Sequence, residues 1–121
     1  MLSRCNDIDA LVSPHDVQKH LYIGDYSIRL YTGKSAETLE SKGFLNFIVY
    51  DPEGEAFTVS LASLRQVRLR VENQCALLEP NTSSVVGIWV EGEKLCAQQW
   101  DGYLSRFDIT TGDLLSQEFT K

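Results

Sequence analysis

Between residue 44 and the C-terminus, turn signals stop the chain every 8–15 residues. Asp51-Pro52-Glu53-Gly54-Glu55, Glu91-Gly92-Glu93, Asp101-Gly102 and Thr111-Gly112 each break a run too short for a stable isolated helix. Between these stops apolar residues recur with a period of two, the pattern of strands with one buried face. Val67, Leu69 and Val71 alternate with Arg68, Arg70 and Glu72, and Cys75 and Leu77 carry the apolar phase past a bulge near Glu72-Asn73-Gln74. Phe44 to Tyr50 is an apolar run, and Phe57, Val59 and Leu61 alternate with Thr58 and Ser60 beyond the acidic turn, which reads as a hairpin. From Ser84, Val86, Ile88 and Val90, then Leu95 and Ala97, then Phe107 and Leu114 form a meander of closely spaced reversals, set off from the first half by the polar loop Pro80-Asn81-Thr82-Ser83. Gly112 takes the left-handed position of the last turn.

The expected fold is therefore all-β and mainly antiparallel. It is a single small domain, 1–121, of about eight short strands arranged as a sandwich, barrel or curved meander. Residues 1–20 form a helical N-terminal segment and 21–121 the β domain. Ser13-Pro14-His15-Asp16 reads as a helix start running about two turns through Val17 and Leu21. Tyr22 to Tyr31 reads as one strand with Tyr26, Ile28 and Leu30 on one face. Ser35 to Lys42 reads as a second short helix closed by Gly43.

Residues 100–119 resemble the repeat of quinoprotein-like β-propellers: Trp100-Asp101-Gly102-Tyr103, a strand ending Arg106-Phe107-Asp108, then Thr111-Gly112-Asp113-Leu114-Leu115. The resemblance implies two antiparallel strands. It covers about one sixth of the chain, a propeller needs at least four blades of about 40 residues, and no cofactor or activity comes with it.

The 11 Lys and Arg against 17 Asp and Glu give a formal net charge of −6. That balance disfavours nucleic acid and anionic membranes as partners, since both require a cationic surface. Asn6, Asp7 and Asp9 interrupt any secretory signal, and no apolar run approaches the length of a membrane span, so the expected location is the cytoplasm. Cys5, Cys75 and Cys96 lack zinc-knuckle spacing and read as reduced thiols, Cys75 and Cys96 within strands. His15 and His20 lie five apart, which on a helix turns them away from a shared metal. No nucleophile elbow, dinucleotide loop or phosphate loop is present, so no catalytic residue, metal or cofactor is expected. Arg65, Arg68 and Arg70 form the basic cluster, explained by cross-strand pairing with carboxylates.

What stands out is acid at the turns. Asp51, Glu53, Glu55, Glu91, Glu93 and Asp101 occupy three loop tips, with Trp100 or Tyr103 beside them as an aromatic anchor. If the tips converge, they form a face for a cation-rich macromolecule. The function this suggests is non-enzymatic: a small acidic inhibitor or immunity-type protein that docks on and blocks a basic partner, such as a nuclease toxin. Two alternatives remain open: a ligand-binding β-barrel or undetected enzyme using Tyr22, Tyr26, Tyr31 and Arg29, and a scaffold module pairing through an edge strand. The solved arrangement of the tips decides whether the premise of the first reading holds.

Overall fold

The computed structural model describes residues 2–60 and 84–119. The alternation of Val67, Leu69 and Val71, the bulge at 72–74, the arginines 65, 68 and 70, Leu61, Cys75, Leu77 and the loop 80–83 lie outside the described residues.

Two antiparallel sheets carry the chain. The first has five strands in the order β1 (Leu2–Arg4), β5 (Ala56–Val59), β4 (Phe47–Tyr50), β3 (Tyr26–Tyr31) and β2 (Val17–Ile23). The second is the expected meander, β6 (Val85–Glu91), β7 (Lys94–Gln99), β8 (Tyr103–Asp108) and β9 (Leu114–Phe119). Their facing sides form one core in which Ile28, Leu30, Phe47, Val49 and Val59 of the first sheet meet Ile88, Leu95, Ala97 and Phe107 of the second. The Phe47 and Phe107 rings lie 5.9 Å apart between centroids, within the range of favourable aromatic pairs. The architecture is thus a sandwich rather than a closed barrel.

A third layer backs the first sheet. Helix α1 (Ile8–Leu11) and helix α2 (Gly33–Ser41) cover its outer face, where Cys5, Ile8, Tyr31, Leu39, Ile48 and Ala56 form a second core. Helix α2 falls where Ser35 to Lys42 predicts it, and Gly43, at φ 85°, closes it. Its start is held from outside the helix. The Asp16 carboxylate accepts from the Ser35 backbone N–H at 3.1 Å and the Ser35 hydroxyl at 2.6 Å, while Ser35 Oγ accepts from Ser13 N–H at 2.8 Å.

Two N-terminal expectations are corrected. Pro14–Asp16 is a single 3-10 turn, capped by Ser13 as the sequence indicates, but Val17 to Leu21 continue as strand. Pairing with β3 offers Val17, Leu21 and Ile23 places against the two cores, which two turns of isolated helix could not. Likewise Tyr22 to Tyr31 is not one strand: Gly24, at φ 58°, and Asp25 make a two-residue reversal, with Ile23 opposite Tyr26. The expected face of Tyr26, Ile28 and Leu30 does point into the sandwich. A short strand, β1, also precedes α1 within the segment read as helical.

The sandwich is fastened at two places. Buried Asn46 accepts from Val85 N–H at 2.7 Å and donates to the Val85 and Tyr31 carbonyls at 3.0 and 2.9 Å, joining the sheets. At the other end Leu2 N–H donates to the Gly112 carbonyl at 2.9 Å. Gly112 sits at φ 77°, so the turn favours glycine, and a Cβ there would come into contact with the Leu2 side chain at 3.4 Å. Among the described residues no helix is long and apolar enough to cross a membrane.

Candidate functional site

Among the described residues, strand polarity assigns each hairpin turn to one of two ends of the sandwich. The turn before Tyr26, the acidic turn 51–55, the turn 91–93 and the loop 108–113 share one end, and residues from all four line a single cleft of about 640 Å³. The turn 100–102 lies at the other end of β7. Six strand residues separate it from Glu93, or about 20 Å of extended chain.

The three predicted tips therefore do not gather as a set. Asp51, Glu53, Glu55, Glu91 and Glu93 belong to the cleft end. Asp101, Trp100 and Tyr103 are on the opposite one, beside Ser84, whose carbonyl accepts from Trp100 N–H at 2.9 Å. Trp100 is 72% exposed, but it cannot anchor a partner centred on Glu93. The physical reason is parity: successive hairpins of a meander alternate ends, so the turns before and after β7 cannot coincide.

Several of the expected contact carboxylates are engaged within the protein. Glu55 pairs with Arg4 at 2.7 Å. Asp51 Oδ1 accepts from Glu55 N–H at 2.8 Å and closes its own turn. Glu91 accepts from the Trp89 indole N–H at 2.9 Å and pairs with Arg106 at 3.4 Å; the indole hydrogen bond first, then the guanidinium charge, holds its carboxyl below the usual range. Trp89 is thus not a core residue but a half-buried cover on the outer face of the second sheet. Glu53 and Glu93 are exposed and have no side-chain partner among the described residues.

The cleft brings in carboxylates that the turn pattern did not single out. Asp25, Glu93 and Asp108 line it, with Lys94 as the one cation among its lining residues, and Asp113 follows in the same loop as Asp108. Asp108 Oδ1 accepts from Thr110 N–H, Thr110 Oγ1 and Thr111 N–H at 2.9, 2.8 and 3.3 Å, which lowers its carboxyl pKa and fixes the loop. The walls are apolar: Tyr22, Ile23, Tyr26, Val90 and Leu115. Among the described residues five large apolar side chains are exposed, and three of them, Tyr22, Val90 and Leu115, line this cleft. Leu115 is displaced outward by an irregularity in the register between β8 and β9 that no sequence periodicity reveals. A smaller cavity of about 250 Å³ opens beside it between the sheets, sharing Tyr26 and Thr110 and reaching Asp51.

The four residues of the ligand-barrel alternative are split by the first sheet. Tyr26 faces the sandwich core, while Arg29 and buried Tyr31 face the opposite way, and Tyr22 is 66% exposed. Cys5 and Cys96 are buried free thiols, each with its pKa raised, by desolvation first and then by Asp7 and Glu91 respectively. Among the described residues no group of three or more His, Cys, Asp or Glu is placed to hold a metal ion. A scan of protein-family models, a search of curated proteins and a search of solved structures each gave no match for this chain.

Proposed function

We propose that the protein is a partner-binding domain whose cleft end docks a cationic segment of another protein, as a small acidic inhibitor or immunity-type protein would block a basic partner. One observation carries this reading: the exposed apolar side chains Tyr22, Val90 and Leu115 collect at the same cleft as Asp25 and Glu93. An apolar centre with a charged rim is the anatomy of a protein interface. Complementary charge at the rim accelerates encounter and selects the partner's sign. The contact set is accordingly revised to Asp25, Glu53, Glu93, Tyr22, Val90 and Leu115.

The test compares the two ends. Immobilised protein is exposed to lysate of its native cell at low and high salt, alongside an Asp25→Lys/Glu93→Lys variant and a Trp100→Ala variant. The expected result is a basic protein retained at low salt, lost on charge reversal at the cleft and kept by Trp100→Ala. Retention unaffected by the reversal, or abolished by Trp100→Ala, removes the cleft end from consideration.

A further inference from the structure

The outer face of the first sheet is only partly covered by the helices. Where cover ends, β2, β3 and β4 present two adjacent rows of polar and aromatic residues. Tyr22, Ser27 and Tyr50 lie opposite one another in one row, and His20 and Arg29 lie opposite one another in the next. The His20 and Tyr22 rings stack at 4.6 Å, and His20 Nε2 shares a hydrogen bond with Ser27 Oγ at 2.6 Å. The Arg29 guanidinium lies 4.9 Å above the Tyr50 ring, whose hydroxyl is 3.2 Å from that of Tyr31, and the Tyr31 hydroxyl is among the groups that interact with the guanidinium electrically.

Among the described residues this arginine has no counter-charge. It is half-buried, and the groups that interact with it electrically are His20 and the hydroxyls of Tyr31, Tyr50 and Tyr22, with no carboxylate among the described residues. In a chain with 17 acidic residues against 11 basic ones, the other half-buried arginine described, Arg106, is flanked by two glutamates. A guanidinium held in place by an aromatic face keeps several N–H donors in a planar fork that matches an oxyanion. Ser27 and His20 add neutral donors beside it. The exposed Tyr22 ring beside them offers a stacking surface.

We propose that this face is a binding site for a small phosphate monoester, with its dianion on Arg29 and an aromatic or apolar substituent against Tyr22. The site shares Tyr22 with the cleft but none of its carboxylates, so charge reversal at Asp25 and Glu93 leaves the anion position on Arg29 intact.

The experiment titrates isotope-labelled protein with phenyl phosphate and, separately, inorganic phosphate, following backbone amide shifts. Saturable shifts centred on Tyr22, Ser27 and Arg29 are expected, with phenyl phosphate bound about threefold more tightly than inorganic phosphate through the ring contact. Arg29→Gln weakens both ligands by about tenfold or more, because a charge-assisted fork is lost. Tyr22→Ala, at an exposed position that leaves the fold alone, abolishes the preference for phenyl phosphate and spares inorganic phosphate. No saturable shift in the unaltered protein overturns the proposal. So do shifts centred instead on Lys19 or Lys94, or equal affinities for the two ligands.

Discussion

Two apolar triplets, Phe47-Ile48-Val49 in β4 and Leu95-Cys96-Ala97 in β7, are both fully buried, and they are buried by different means. The middle residue of each faces away from the sandwich core. Ile48 is covered by a second apolar core built from α1 and α2. Cys96 lies between Trp89 and Arg106 on the neighbouring strands, beneath a network in which Glu91 and Glu118 hold the guanidinium at 3.4 and 2.9 Å. The first sheet has the part of its back around Ile48 sealed by packing, and the second has the part around Cys96 sealed by its own long side chains. The difference shows where stability is stored and which faces are left open to ligands.

The largest effect should fall under the helices. Ile48→Ala removes buried methyl groups from a site sealed on both sides, and a loss of about 2–5 kcal/mol is expected in denaturant unfolding. A loss close to that of a surface substitution would mean that the helical layer closes over the gap, and that the two backs are alike. Slightly smaller is the junction between the sheets. Asn46→Ala strips the partner from Val85 N–H and from two carbonyls, and a net loss of about 1–3 kcal/mol is expected, since water entering the opened space takes up part of the unmet hydrogen bonding. Because Asn46 ties the sheets together, the same variant should also broaden the unfolding transition. A sharp, unchanged transition would show that the apolar core alone keeps the sheets docked.

The comparison also shows why the sequence was readable in one half and less so in the other. Within residues 84–119 the turns carry glycine at positive φ and each strand pairs with the next in order. The meander and its Gly112 turn were legible for that reason. In the first sheet β1 inserts beside β5, a pairing between residues more than fifty apart that no local pattern encodes. Val17 to Ile23 became a strand because β3 was available to pair with it. Of the candidate site, the turn carboxylates were visible one by one, but which end each occupies depends on strand parity. Leu115 and Asp25 reached the cleft through a register irregularity and a tight turn that the composition does not mark. That no carboxylate among the described residues faces Arg29 is likewise a property of the folded neighbourhood.

Acid should test the anchor of the helical layer. The Asp16 carboxyl is held below its usual pKa, first by the Ser35 hydroxyl and then by the Ser35 N–H. A carboxyl with a depressed folded pKa binds fewer protons folded than unfolded, so its contribution is complete above the unfolded value. It is lost as pH falls through the folded one. In wild type, the protection of α2 amides relative to their intrinsic exchange rate at each pH should therefore fall with acidification across that interval, and Asp16→Asn should flatten the response. An α2 whose protection ignores pH in both proteins would place its anchor elsewhere.

The smallest change in stability, and the sharpest view of the second sheet's back, comes from Arg106→Ala. Its ion pairs with Glu91 and Glu118 sit at the surface, where such pairs contribute little. Its covering role is another matter, because the sulfur of Cys96 has no exposure while the network stands. Two consequences of the substitution oppose each other. Losing the guanidinium removes a charge that favours the thiolate, leaving Glu91 to disfavour it, so the thiol becomes intrinsically less acidic. Opening the face gives a reagent access that it lacks in the intact protein. Access decides the outcome, since a fully covered sulfur cannot be attacked whatever its ionisation. Alkylation of Cys96, followed by peptide mapping under native conditions at alkaline pH, should therefore be faster in Arg106→Ala than in wild type, while Cys5 under α1 keeps its rate. Equal rates at Cys96 would mean that the Trp89 ring alone seals the sheet, and the contrast between a packed back and a self-covered one would narrow to a single indole.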